Sequence, residues 1–134
     1  MGFCPGQSAF AIVRRAMERS QCWNLAERRL EQTLDLGEQG LIPLEVRFLH
    51  DPEADQGFVG ATLASNILRF HRSNGRFQAE PVIEVDNEEL EGWPLPGGVP
   101  GLITDIVLSM DDRFLYLSNW LHGDLRQYDV SDPT

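Results

Sequence analysis

The chain contains no lysine: all eleven of its basic residues are arginines, set against 21 acids for a formal net charge of −10. Polyanions repel an acidic protein, which argues against nucleic acid and anionic membrane surfaces as partners. Cysteine is nearly as scarce. Cys4 and Cys22 are too few for a disulfide framework, and neither stands at metal-ligand spacing from a histidine, so both are expected as unpaired thiols. Long apolar runs are missing too; none approaches the roughly 18 residues of a membrane helix. No basic lead followed by an apolar stretch opens the chain, so no export signal is read. That favours the cytoplasm and leaves the periplasm open for a full-length bacterial protein.

What is present is strand and turn. A chain of 134 residues with 42% apolar content suffices for one packed domain. The first 21 residues differ from the rest. "AFAIVRRAMERS" carries helix formers with apolar Phe10, Val13 and Met17 at helical spacing, which predicts a short amphipathic helix or a poorly ordered extension over residues 1–21. Residues 22–134 show strand signals. "PLEVRFLHDP" alternates and stops at Asp51-Pro52, "GFVGATLAS" is small and apolar like a strand buried on both faces, and Asn74-Gly75 marks a tight turn. Pro81 predicts an edge or a bulge. The acidic run "DNEELE", Asp86 to Glu91, reads as a solvated connector, with a weak cation site as the alternative.

The order of strands repeats. "LEVRFLHD" aligns with "TDIVLSMD" at an offset of 60, "DQGFVGAT" with "DDRFLYLS" at 56, and "NILRFH" with "DLRQYD" at 58. Units of four short strands at this spacing are blades of a β-propeller. "CWNLAERRLEQTLDLG" reads as the last two strands of an earlier blade. The expected fold is therefore all-β, a partial β-propeller of about two to two and a half blades. Its end strands would carry unpaired edges through which another chain associates.

"GLIPLEVRFLHDPEADQGFVGATLASNILRF" and "PGLITDIVLSMDDRFLYLSNWLHGDLRQYDVSDP" resemble the selenium-binding protein family, which includes methanethiol oxidases, over about Trp23 to Pro133. The resemblance implies a seven-bladed ring in the full-length protein. It implies a copper-dependent oxidase that turns a small thiol, methanethiol, together with oxygen and water into formaldehyde, hydrogen sulfide and hydrogen peroxide. It also implies selenium binding through a cysteine, whose segment lies outside the matching region. Cys22 sits where the family usually has an aliphatic residue, so that role is not carried to it. The alternatives are a non-catalytic propeller interaction module or a gene remnant; a propeller hydrolase rests on fold analogy alone.

Propeller geometry sorts the candidate site residues. His122 lies in the loop between the second and third strands of its blade, on the face where first strands begin. Asp105 in "LITDIV" and Glu45 in "PLEVRF" hold equivalent places at the starts of neighbouring first strands. Imidazole and carboxylates together can ligate copper. His122, Asp105 and Glu45 are therefore the candidate metal ligands, His122 the candidate catalytic residue, and Asp124 the carboxylate that would orient it. Against this, His122 also reads as a loop histidine capping turn backbone, and Asp105 and Glu45 as structural acids repeated in each blade. His50 is expected as a turn residue on the far face, and His71 as structural on an outer strand. Phe114, Tyr116, Trp120 and Tyr128 are expected in the cores between sheets. Aligned with "LASN", the stretch "NWLHGD" reads as a longer connection in which Leu121, His122 and Gly123 are inserted.

Overall fold

The computed structural model describes residues 10–51 and 53–132, with side chains from Met17 onward. The described residues form ten strands and one short 3-10 turn. β1 (Phe10–Ala16), β2 (Arg19–Asn24) and β3 (Arg29–Asp35) form one antiparallel sheet. β4 (Pro43–Phe48), β5 (Gln56–Ala61), β6 (Asn66–Ser73) and β7 (Arg76–Glu84) form a complete four-stranded blade. β8 (Ile103–Leu108), β9 (Phe114–Asn119) and β10 (Asp124–Asp129) form the third sheet. The first strands of neighbouring blades, β4 and β8, touch, and so do the outer strands β3 and β7. The fold is all-β and a partial β-propeller. Among the described residues, no helix is long and apolar enough to cross a membrane.

The N-terminal region departs from the sequence expectation. Instead of a helix, Phe10–Ala16 is a strand paired antiparallel with β2 from Phe10↔Asn24 to Ala16↔Arg19. Helix propensity is a weak prior, and a neighbouring strand that offers a hydrogen-bonding edge overrides it. The first sheet thus has three strands rather than two. Residues 1–9 lie outside the described residues.

Two apolar clusters sit on the two faces of the middle blade. Val59, Ala61, Leu68, Phe70 and Phe77 pack with Cys22, Leu34 and Leu36 of the first sheet. Phe58, Ile67, Ile83 and Val85 pack with Ile103, Ile106, Leu108, Leu115 and Leu117 of the third. Consecutive residues of β5 and β6 therefore enter opposite cores, as a strand covered on both faces requires. β9 instead alternates between buried Leu115, Leu117 and Asn119 and exposed Tyr116, and Trp120, the first residue of the loop after it, is exposed too. This corrects the core placement of Tyr116 and Trp120: they face the side of the third sheet that no further sheet covers among the described residues. Tyr128 does pack against the core.

The register corrects the repeat alignment. Glu45 pairs with Gly60 and Asp105 with Ser118, each just after a bulge, at Pro43/Glu45 and at Ile103/Asp105. The second strands thus correspond at an offset of 58, from Gly60 to Ser118, not 56. A two-residue slip keeps every side chain on its face, so the hydrophobic pattern could not detect it. With β5 ending at Ala61 and β6 starting at Asn66, and β9 ending at Asn119 and β10 starting at Asp124, both connections span four residues, 62–65 and 120–123. There is no insertion; His122 occupies the place of Ala64. The backbone bonds agree: Thr62 and Leu63 donate to the carbonyls of Ile42 and Leu41, while Trp120 and Leu121 donate to those of Leu102 and Gly101. Ser65 and Gly123 close the two loops with φ of 54° and 70°. Ile42 and Leu102, just ahead of the first strands, share φ of 54° and 55°.

Candidate functional site

His122 sits in the 120–123 loop with a side chain only 1% exposed. Its Nε2 lies 2.8 Å from the carbonyl of Val99, which only accepts, so Nε2 carries the proton and donates. Its Nδ1 lies 3.2 Å from Nη2 of Arg126, which only donates, so Nδ1 accepts. Glu88 stands 3.4 Å from the same nitrogen. Val99 and Glu88 come from the connector after β7 and are joined to each other by an isolated β-bridge. Strand alternation puts Asp124 and Arg126 on one face of β10, where Arg126 Nε donates to Asp124 at 2.8 Å. Arg126 Nη2 also donates to Glu88 at 3.1 Å. Buried Asn119 donates to the other oxygen of Asp124 at 2.7 Å.

The charges follow from these contacts. Burial alone would raise the Asp124 carboxyl, but the donors Asn119 and Arg126 outweigh it and hold it below the usual carboxylate range. The hydrogen bond to Asp124 lifts the Arg126 guanidinium further from deprotonation, against the effect of its desolvation.

Glu88, His122 and Asp124 form the one group of three potential ligands found among the described residues, with donor atoms within 4.8 Å of one another. An imidazole and two carboxylates suit a borderline cation such as copper. Arg126, however, donates to all three of them. The guanidinium holds the space a metal would need, so as folded the cluster does not fit copper.

Of the predicted residues, the structure brings His122 and Asp124 together and adds Glu88 and Arg126. Asp105 is exposed on β8 and lies outside this group. Glu45 pairs with Arg47 at 2.9 Å, and Arg47 Nε donates across to the carbonyl of Ile106 in the next sheet. Both acids do occupy equivalent post-bulge positions. His50 lies at the other end of its blade, where the Asp112 carboxylate accepts from the amides of His50 and Asp51 and contacts the His50 ring at 2.6 Å. His71 lies on β6 opposite Gln56 and Gln78. Cys22 is buried on β2, and burial pushes its thiol up to about 11 despite nearby Arg72, so it is neither a nucleophile nor a ready metal ligand.

Sequence reading missed Glu88 because its contacts to the cluster bridge the whole length of β8 and β9. Arg126 was legible, since the period-two alternation of "DLRQYD" puts it beside Asp124.

Three antiparallel sheets side by side, with touching first strands and a repeated loop that closes over each blade start, define the chain as a section of a β-propeller. The family described as 56kDa selenium binding protein matches residues 11–134, and the chain belongs to that family. Over 111 residues it is 61% identical to a methanethiol oxidase of Xenopus laevis, covering 82% of this chain and 23% of that protein. It is 59% identical to the human methanethiol oxidase over 112 residues, covering 83% of this chain and 23% of that protein. A solved structure of a hypothetical selenium-binding protein from Sulfolobus tokodaii superposes with a TM-score of 0.78 at 42% identity, covering 87% of this chain and 28% of that one. The chain thus spans about a quarter of the length of the relatives it matches. The matched span starts inside β1, upstream of the Trp23 boundary taken from the sequence, consistent with β1 belonging to the first sheet.

Proposed function

We propose that this chain forms part of the propeller of a methanethiol oxidase of the selenium-binding family. The single observation that carries the reading is the identity of about six residues in ten to methanethiol oxidases over four-fifths of the chain. The reaction assigned converts one methanethiol, one dioxygen and one water into one formaldehyde, one hydrogen sulfide and one hydrogen peroxide. Atoms balance in it, and dioxygen takes two electrons from the thiol carbon. Copper is the proposed cofactor, with its ligands outside the His122 cluster, whose centre is filled. Asp105 and Glu45 are assigned as architectural acids, because the same bulge recurs at both and Glu45 holds the arginine that stitches two sheets. No selenium role is assigned to Cys22. The outer edge of β10, paired only with β9 among the described residues, is proposed to take a further strand.

The test is a chimera. The matched segment of the Xenopus protein is replaced by this chain's residues, and methanethiol-dependent peroxide release is measured with copper supplied. Activity within a few-fold of the parent is expected. A chimera that folds with the parent's melting behaviour but releases no peroxide refutes the assignment. The 134-residue chain by itself is expected to release none, and peroxide from it would overturn the view that most of the ring is needed.

A further inference from the structure

The neighbouring blade shows what the His122 cluster replaces. In both blades the carbonyl four residues ahead of the first strand takes a side-chain donor from the start of the third strand or from the loop before it. In the middle blade this is the Gln39 carbonyl, served at 3.2 Å by the side-chain amide of Asn66, the first residue of β6. In the third sheet the same carbonyl belongs to Val99, and the first residue of β10 is Asp124, an acceptor when ionised. Asp124 cannot donate to this carbonyl, which accepts instead from the Glu88 amide at 2.9 Å and from His122, two residues ahead of Asp124 in the place of Ala64, at 2.8 Å. The carboxylate in turn needs compensation, which Arg126 supplies from the position of Leu68 in the middle blade.

We infer that Arg126 is the resident cation of the Glu88–His122–Asp124 cluster: it latches the connector to β10 and keeps divalent metal away from His122. Its charge is permanent, and its rigid fork of donors matches three acceptors at once, at 2.8, 3.1 and 3.2 Å. A metal could enter only by expelling a guanidinium held between two carboxylates. His122 is then a positioning residue, with Nε2 fixed on the Val99 carbonyl and Nδ1 occupied. This inference stands apart from the oxidase reading, because it concerns metal exclusion and not turnover.

The full chain is titrated with Cu(II) and, separately, Zn(II) by calorimetry, with the His122 ring followed by NMR. Wild type and His122→Ala are expected to bind metal with the same stoichiometry. Arg126→Met, which keeps length and removes charge, is expected to gain one site at least tenfold tighter than any in wild type. The double variant Arg126→Met/His122→Ala is expected to lose it. Amide exchange at the Glu88–Val99 bridge is expected to quicken at least tenfold in Arg126→Met without metal. A wild-type site that disappears in His122→Ala overturns the inference. So does a folded Arg126→Met that gains no site. Should Arg126→Met not fold, Arg126→Gln, which removes the charge but keeps a polar side chain, takes its place with the same two outcomes.

Discussion

Asn119→Asp is a nearly isosteric change with a calculable cost. Asn119 is 1% exposed, and its amide donates to Asp124 at 2.7 Å. Asn119 packs against Gly101, where an added methyl group would lie 2.9 Å from Asn119 Oδ1. The variant therefore sets two carboxylates face to face, and both cannot stay ionised at that separation. The cheapest escape is to take up one proton, which restores a hydrogen bond. Protonating a carboxyl of ordinary pKa, about 4, at pH 7 costs about 1.4 kcal/mol per unit, or roughly 4 kcal/mol as a ceiling. Asp124 is 37% exposed, and solvent shares its charge. The expected loss is therefore about 2 kcal/mol at pH 7. The new acid has a raised folded-state pKa, so its penalty is full at neutral pH and fades as pH falls toward about 4. Urea unfolding of wild type and variant at pH 7, 6 and 5 measures this. A penalty that is absent at pH 7, or the same at pH 5, refutes the proton-uptake account.

Three further outcomes are expected. Cys22, fully buried with its thiol pushed up to about 11, should react with iodoacetamide at pH 8 at least a hundredfold more slowly in the native chain than in urea; comparable rates would contradict the buried placement. Burial would raise the Asp112 carboxyl, yet the amide and ring of His50 and the amide of Asp51 hold it below its usual range. Its stabilisation should hold above about pH 5 and fade below about pH 4, so the stability gap to Asp112→Asn should close in acid, and a gap unchanged at pH 2 would count against it. Gly123→Ala should cost about 1 kcal/mol from its φ of 70° alone, since no atom lies within 4 Å of the added methyl; a neutral result in denaturant titration would mean the loop relaxes.

The propeller was legible because its signals are local: alternating apolar residues, Asn74-Gly75 with both φ positive, and Pro81 beside a bulge on an outer strand. What stayed hidden was non-local. Phe10–Ala16 is a strand only because β2 lies alongside it. The alignment of "GFVGAT" slipped by two residues because period-two patterns are blind to even shifts, and that slip created an insertion that does not exist. His122 does stand at the strand starts, bonded to the residue four ahead of β8, but its partners were not foreseen. Glu88 comes from a connector that reads as solvated, and the feature that decides its meaning, a guanidinium among three acceptors, depends on contacts that no spacing displays.

The paired carbonyls of Gln39 and Val99 carry a lesson about inheritance in repeated architectures. What the blades hold in common is a carbonyl that takes a side-chain donor, in the second case alongside the Glu88 amide, and not the residue that answers it. In one blade an asparagine at the strand's first position answers; in the next, a histidine two positions earlier does. Drift can move such a duty along the chain while the backbone stays still. A histidine that stands out in one repeat then signals a relocated chore rather than an acquired chemistry, and blade-to-blade alignment will misjudge it unless the acceptors are aligned first.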